Sequence, residues 1–272
     1  MAEERKDSNF ALKAKQFRAD TAMVFKFALN DLKKRYSGSI AGFIWAYVTP
    51  LVSILAFWFV FQVGFKNPPV NDMPFILWLV PSYIAWTYIS DSVSQSSSVL
   101  YEYAFLVKKV KFNVMILPPI KVVGAFIVHS FFIIFTYVLF LIYRFPIHIS
   151  WLQVLYYTFA NTVFLIGVSY IVSALSVFWK DMIQVVNVIL QVAFWLCPIF
   201  WNPDSMQELP VFFLKLNPSF YIVQGYRECF VGNVPFYVHG RETLYFWAVS
   251  LTMILIGTTL YKSLSKHYSD LL

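Results

Sequence analysis

The ionisable side chains that could carry acid–base chemistry are few and far apart in this chain. The best set for a transfer reaction is His148, Asp204, Glu208, His239 and Glu242, which share no motif. The chain also lacks the patterns G-x-x-x-x-G-K-S/T, H-E-x-x-H, C-x-x-C and G-x-S-x-G. Those patterns mark a phosphate-binding loop, a zinc site, a redox pair and a nucleophilic serine. We therefore predict no catalytic, cofactor or metal site and no nucleotide binding by the chain alone.

Charged side chains are also scarce inside the apolar segments. His129 is the one ionisable residue that falls deep in such a segment, while Asp91 and Lys121 fall near predicted ends. Ion-coupled transporters place carboxylates near the middle of the membrane, because the coupling ion must be bound there. The sequence therefore disfavours a secondary transporter, and we interpret His129 as a packing residue.

Aromatic side chains are the other group with binding chemistry. Their flat faces stack on the C–H faces of sugar rings while the hydroxyl groups stay hydrated. The alternative is that most of these rings face lipid or pack within the protein. The densest groups fall in the first and fifth apolar segments, and we predict that they line a conduit: Phe57, Trp58, Phe61, Phe194, Trp195, Phe200 and Trp201.

The composition requires a membrane around these elements. Apolar residues make up 59% of the 272, charged residues 13%, and the mean hydropathy is +0.64. A soluble domain carries about 25% charged residues. Six apolar segments approach the roughly 20 residues that span a bilayer. They predict an all-α polytopic membrane protein with a single domain over residues 1–272 and spans at about 43–65, 74–93, 118–143, 152–178, 183–201 and 243–262.

The position of the basic residues predicts the orientation. With the N-terminus inside, sixteen Lys and Arg residues fall on the inner side and five on the outer side, which agrees with the positive-inside rule. We therefore expect an inner-membrane protein with both termini cytoplasmic. The net charge of +7 reflects this topology, so we predict no nucleic-acid partner.

The connecting segments carry their own signals. Residues 8–36 predict an amphipathic helix in the membrane interface, because apolar residues recur at helical spacing among basic ones. The inner loop at 94–117 contains a short charged helical stretch. The outer segment 198–242 is too apolar for a solvated loop and too broken for a span, which predicts short re-entrant helices. Cys197 and Cys229 form no metal-like cluster, and we expect free thiols.

A glycine pair adds a weaker signal at the start of the first span. Gly38 and Gly42 form a G-x-x-x-G pattern. Small residues at this spacing let helices approach closely. The pattern fits a homodimer seam and equally a bend between the interfacial and spanning helices.

Four stretches together resemble the membrane subunit of polysaccharide-exporting ABC transporters of the ABC-2 type, which export O-antigen, capsule precursors or wall teichoic acid. They are DLKKRYSGSIAGFIWAYVTPL (31–51), LVKKVKFNVMILP (106–118), FWKDM (178–182) and NPSFYIVQGYREC (217–229). Lys180 stands where an Arg is common in the family. The stretches follow the family's order along nearly the whole chain.

The resemblance implies a permease that works as a homodimer with two copies of a separate ATPase, which holds the ATP and magnesium. A lipid-linked polysaccharide would be the substrate. Residues 100–113 would form a coupling helix, and the turn at 180–182 a second contact. The implied ATPase contacts are Glu102, Tyr103, Phe105, Lys108, Lys109 and Asp181.

Two alternatives stay open at this point. An ABC-2 permease for a drug or lipid has the same architecture, and the K-K-V-x-F segment and the aromatic spans favour polysaccharide over it. A membrane acyl- or glycosyltransferase is less favoured because the outer polar residues form no catalytic motif.

Overall fold

A computed structural model describes residues 20–35, 38–65, 73–109 and 112–272. Within these ranges the structure is helical and has no sheet, which confirms the all-α prediction. The long helices are α1 (20–35), α2 (Trp45–Trp58), α3 (Phe75–Glu102), α5 (Leu117–Ile142), α6 (Gln153–Phe178), α7 (Met182–Leu196) and α10 (Gly240–Leu264). The short ones are α4 (Ala104–Lys109), α8 (Glu208–Lys215), α9 (Pro218–Arg227) and α11 (Tyr268–Leu271).

Among the residues that the structure describes, four helical segments are long and apolar enough to cross a membrane. They are Gly42–Gly64, Val114–Ile142, Ile149–Phe178 and Phe236–Leu271, and they correspond to the first, third, fourth and sixth predicted spans. The predicted span at 183–201 is a shorter apolar helix, Met182–Leu196. The predicted span at 74–93 lies within α3. Six spans therefore remain a prediction, of which the structure supports four by length and composition.

Helix α3 differs from the other long helices because it lies at the centre of the bundle. Its first half is almost entirely buried against α5, α6, α7 and α9. Its second half is rich in serine, and Ser96 Oγ donates to the Ser92 carbonyl at 2.7 Å. Ser173 Oγ of α6 donates to the Ser96 carbonyl at 2.8 Å. A helix enclosed by protein can carry such hydroxyls where they find partners. The buried Ser92 hydroxyl has no hydrogen-bond partner among the described residues.

Helices α6 and α10 pack through a pair of glycines. A Cβ built on Gly257 would lie 2.5 Å from the Gly167 carbonyl oxygen, and one built on Gly167 would lie 2.7 Å from the Ile254 nitrogen. Small residues at such a crossing allow two backbones to touch, which favours helix association in a membrane.

The pair Gly38 and Gly42 serves a bend. Their φ angles are +94° and +55°, and a Cβ added at either position would have no atom within 4 Å. Glycine adopts such angles at little cost. The two residues lie between α1 and α2, so the bend interpretation fits their geometry. The predicted interface helix at 8–36 is described over 20–35 only; its remaining residues lie outside the described ranges.

The segment between α7 and α10 contains two short helices, α8 and α9, where the sequence predicts broken helices. Asn217 caps α9 by accepting a hydrogen bond from the Ser219 amide at 3.0 Å, and Pro218 occupies the first turn, where a proline lacks no needed N–H. Helix α9 is largely buried, whereas most residues of α8 are exposed. Re-entry of these helices into the bilayer remains a prediction.

Candidate functional site

The up-and-down course of the long helices divides the connections between two ends of the molecule. One end, called here the α4 end, holds α4, the turn at 179–181 and α11. The other, called the α8 end, holds the α5–α6 connection, α8 and α9. Predicted coupling residues fall at the first end and predicted outer residues at the second.

The predicted coupling helix at 100–113 is, in its described residues, the end of α3, a turn and α4, and a second short turn then leads into α5. Residues 100–116 are called here the coupling segment, and 112–116 its return limb. Helix α3 ends at Glu102, Tyr103 forms a turn, and α4 follows directly. The return limb is a short 3-10 turn at Val114–Ile116, capped by Asn113, whose side chain accepts from the Met115 amide at 3.2 Å. Residues 110–111 lie outside the described ranges.

Three tyrosines hold this return limb and its surroundings. Tyr170 of α6 donates to the Met115 carbonyl at 2.7 Å, and Tyr261 of α10 donates to the Val114 carbonyl at 3.0 Å. The Tyr268 ring is fully buried with its centroid 5.2 Å from that of Tyr261. Because α6 and α10 also cross at the glycine pair, the return limb is fixed to two helices whose backbones are in close contact.

A charge cluster ties α1, α3 and α5 together beside the coupling segment. It consists of Asp31, Arg35, Glu102, Tyr103 and Lys121. The Lys121 ammonium is buried and lies 2.9 Å from both Asp31 carboxylate oxygens and 2.5 Å from Glu102 Oε2. A buried charge persists only when it is paired and hydrogen-bonded. The cluster therefore links α1 to Glu102, the first of the predicted ATPase contacts along the chain.

Tyr103 belongs to this cluster rather than to the surface. Its hydroxyl donates to Asp31 Oδ1 at 2.8 Å, and its side chain is 9% exposed. Burial, together with the neighbouring Asp31 carboxylate, raises the pKa of Tyr103, so the hydroxyl stays a hydrogen-bond donor. The ATPase contacts through Glu102 and Tyr103 stay predictions, and both side chains form hydrogen bonds within the chain.

Other predicted contact residues point outward. Phe105 is 53% exposed, Lys108 and Asp181 are exposed, and Leu106 and Val107 pack against the buried residues beneath. The Lys109 side chain lies outside the described part of the chain. Sequence reasoning missed Trp179, an exposed indole two residues before Asp181. The signal in the sequence is a tryptophan beside the predicted ATPase contact at 180–182, since tryptophans often anchor protein interfaces.

Five of the seven predicted conduit aromatics meet in one place. The aromatic cluster consists of Phe57, Phe61, Phe194, Trp195 and Phe200, with ring centroids 4.8 Å apart for Phe57–Phe200 and 5.4 Å for Phe61–Phe200. It packs α2 against α7, and only Trp195 is mostly exposed, at 61%.

The other two rings are not among these ring contacts. Trp58 is half-buried. The Trp201 ring is tilted against that of Phe220 with centroids 6.2 Å apart, and its Nε1 donates to the Trp195 carbonyl at 3.2 Å. The rings therefore contribute packing as well as a surface, and their role in a conduit remains a prediction.

A polar groove adjoins the aromatic cluster. It has a volume of about 290 Å³, runs between α3 and α7, and is lined by polar side chains with Trp86 and Phe194 beside them. Ser94 Oγ donates to Asn187 Oδ1 at 3.0 Å. Polar groups exposed on an apolar helix face need water or a partner, because hydrocarbon cannot solvate them. The polar residues of the groove are Ser90, Asp91, Ser94, Asn187 and Gln191.

Sequence reasoning missed this groove for two identifiable reasons. Asp91 falls near the end of the predicted span, but α3 continues to Glu102, about 16 Å further at 1.5 Å per residue. Gln184, Asn187 and Gln191 recur at spacings of three and four and are all exposed. That spacing places them on one face of α7, a signal that the apolar composition of the segment hides.

The scattered polar residues of the second half converge at the α8 end. Asp204, His239 and Glu242 line one cavity, although no sequence motif joins them. Glu208 lies outside that lining. His148 instead accepts a hydrogen bond from the Ser150 amide through Nδ1 at 3.2 Å. Cys197 and Cys229 are buried free thiols, as expected.

His129 is buried in the centre of the bundle. Its Nε2 lies 2.8 Å from the Tyr226 hydroxyl, and its ring stacks on Tyr88 with centroids 4.7 Å apart. A stacked and hydrogen-bonded imidazole fits the interpretation of a packing residue.

The chain is similar to membrane subunits of one transporter family. The family model described as "ABC-2 type transporter" matches residues 26–231, more than half of the chain. An O-antigen export system permease protein RfbA of Klebsiella pneumoniae is 24% identical over 245 residues, covering 89% of this chain and 92% of its own. The protein of that name from Myxococcus xanthus is 22% identical over 257 residues, covering 91% and 94%. The chain therefore belongs to the ABC-2 type transporter family and is a transporter subunit rather than an enzyme.

Proposed function

We propose that this chain is the membrane subunit of an ATP-driven exporter that moves a lipid-linked polysaccharide across the cytoplasmic membrane. Two copies form the conduit, and two copies of a separate ATPase subunit dock at the α4 end, which is cytoplasmic along with both termini. ATP and magnesium reside on the ATPase.

The observation that carries the substrate class is the polar groove beside the aromatic cluster. A polysaccharide presents hydroxyl groups and apolar C–H faces together, and a sliding polymer needs many weak contacts rather than one tight pocket. Amide, hydroxyl and carboxylate groups next to Trp86, Phe194 and Trp195 supply both kinds of contact. The relatives named as O-antigen export permeases, aligned over about nine tenths of this chain, support the same substrate class.

The coupling step follows from the α4 end. Phe105, Lys108 and Trp179 are exposed there and would sit against the ATPase. Closure of the ATPase pair would push on α4, and the tyrosine contacts to Val114 and Met115 would pass that displacement to α5, α6 and α10. Such a device needs contacts that differ between two states, and the charge cluster supplies ion pairs that can be exchanged.

A deletion experiment tests the proposed function. Removal of the gene should abolish surface polysaccharide and leave the lipid-linked polymer inside the cell, and a plasmid copy should restore export. Normal surface polymer together with altered drug or lipid efflux would contradict the proposal and favour the alternative ABC-2 substrate class. Micromolar ATP binding by the purified chain without its partner would contradict the assignment of ATP to a separate subunit.

A further inference from the structure

The cavity at the α8 end is separate from the polar groove and is lined by α6, α8, α9 and α10 and by the short turns at Pro203–Ser205, Glu228–Gly232 and Phe236–His239. Its lining includes Tyr157 of α6, Lys215 of α8, Gln224 and Glu228 around α9, and Glu242 of α10. Its volume is about 110 Å³, room for roughly three or four waters at about 30 Å³ each. It can therefore admit one face of a single sugar ring and not a length of polymer.

Most charged groups of the cavity lie in two close pairs, and Asp204 adds a third carboxylate without such a partner. Glu228 Oε2 lies 2.9 Å from His239 Nε2, and Lys215 Nζ lies 3.2 Å from Glu242 Oε1. An anion entering the cavity would meet the carboxylates, and a cation would compete with Lys215. No group of three metal-ligating side chains occurs in the part of the chain that the structure describes. These facts favour a neutral ligand with many hydroxyl groups.

The uncharged part of the lining fits that ligand. Tyr157, Phe220 and Tyr221 supply aromatic surface to the lining, and aromatic faces pack against the C–H face of a sugar. Also in the lining, Gln224 Nε2 donates to Glu228 Oε1 at 3.0 Å, which orients a planar amide and a planar carboxylate side by side. The Asp204 carboxylate forms no hydrogen bond with the described residues, so its oxygens are available to hydroxyl donors.

The exposed fractions of the lining side chains show that the cavity opens to the surface. Glu228 is 15% exposed at the base, whereas Glu242 and Lys215 are 35% and 42% exposed at the rim. Close packing of the floor is set by Gly225, since a Cβ there would lie 2.2 Å from the Tyr157 ring. The site is therefore a preformed recess that opens to the surface beside α8.

We propose that this cavity is a saccharide subsite that holds one neutral sugar unit at the exit side of the transporter. That a polymer reaches it rests on the proposed function, but binding of a single sugar does not. Its purpose would be to hold an emerging unit and disfavour backsliding.

Saturation-transfer difference NMR on the purified chain tests the subsite directly. The probes are the methyl glycosides of glucose, galactose, mannose and N-acetylglucosamine. The protein must be held in nanodiscs or a detergent without a sugar headgroup, since a maltoside would compete. At least one glycoside should give saturable transfer in the millimolar range, as expected for a small ligand in an open recess.

Two variants separate recognition from folding. Asp204→Asn should weaken the binding at least fivefold without lowering thermal stability, because its carboxylate has no protein partner to lose. Glu208→Gln removes a charge from the same region outside the cavity and should bind like the parent chain. If the Lys215–Glu242 ion pair and the Glu228–His239 contact serve only to hold the surrounding segments together, no glycoside will bind. Equal binding by Asp204→Asn would also overturn the subsite.

The failures of the two proposals can be told apart. Export that depends on the gene, with no glycoside binding, would overturn the subsite and leave the proposed function intact. Glycoside binding with no polymer defect on deletion would do the reverse.

Discussion

The guanidinium carbon of Arg227 lies 3.7 Å from the centroid of the Trp78 ring. The same group donates to the Ile199 carbonyl at 3.1 Å and also to that of Pro198. Arg227 is 4% exposed. One side chain thus joins α9, α3 and the segment after α7, which gives the arginine of the N-P…G-Y-R stretch a structural role.

Arg227→Lys should lower the apparent melting temperature of the purified protein by several degrees. A lysine carries the charge but lacks the planar fork that stacks on an indole and donates to several carbonyls at once. Fluorescence-monitored thermal unfolding in detergent measures the change. Arg241→Lys, at an exposed position in the first turn of α10, is the matched control. Equal shifts of the melting temperature for the two variants would contradict the role of Arg227 in joining these segments.

Lys121→Met should destabilise the protein by about 3–5 kcal/mol, because the buried Asp31 carboxylate loses its closest cation and keeps only the Arg35 guanidinium at 3.4 Å. The measurement is unfolding of the variant by a denaturant or by heat. The double variant Lys121→Met with Asp31→Asn should regain part of the loss, since the unpaired charge is gone. If the double variant is as unstable as the sum of both single variants, the two residues are not coupled.

The sequence predicts some of these features and cannot reach others. Hydropathy and proline positions locate the helices, including α8 and α9, because both are local properties. The charge cluster is different: Asp31 and Lys121 are 90 residues apart, and no local pattern pairs them.

Tyr103 is predicted as an ATPase contact because no local pattern pairs it with Asp31, which is 72 residues away. In the structure its hydroxyl donates to the Asp31 carboxylate. The groove at Asp91 is missed because the predicted span ends near that residue. In the structure α3 continues through a buried serine-rich stretch to Glu102, so Asp91 lies within the helix.

Replacing Lys108 and Lys109 with alanine should reduce co-purification of the ATPase and slow export several-fold, while membrane insertion stays normal. Truncating charged partners in a desolvated seam costs about 2–5 kcal/mol. Pull-down of the ATPase from detergent extracts and surface-polymer assays provide the readouts. Lys262→Ala removes an exposed lysine of α10 as the control, and normal export by the double variant would show that the coupling element lies elsewhere.

The polar groove gives the sharpest test of the conduit. Replacing Asn187 and Gln191 together with leucine should cut export at least tenfold, since a passing sugar chain loses its hydrogen-bond partners at that face. ATPase assembly should be unchanged, because both residues lie within α7, away from the α4 end. If this face of α7 instead contacts lipid, the same changes remove polar groups from hydrocarbon. Export should then be normal, and the free energy of unfolding should rise.

The neighbouring positions complete this last test. Val188 and Val192 are exposed on the same helix, at 59% and 53%, and their replacement with leucine adds apolar volume without removing a polar group. Those controls should export normally. Trp195→Leu keeps apolar surface but removes the ring that stacks on sugar, so it should slow export modestly alone and strongly in combination with Asn187→Leu. Normal rates for every combination would leave the groove without a role in transport.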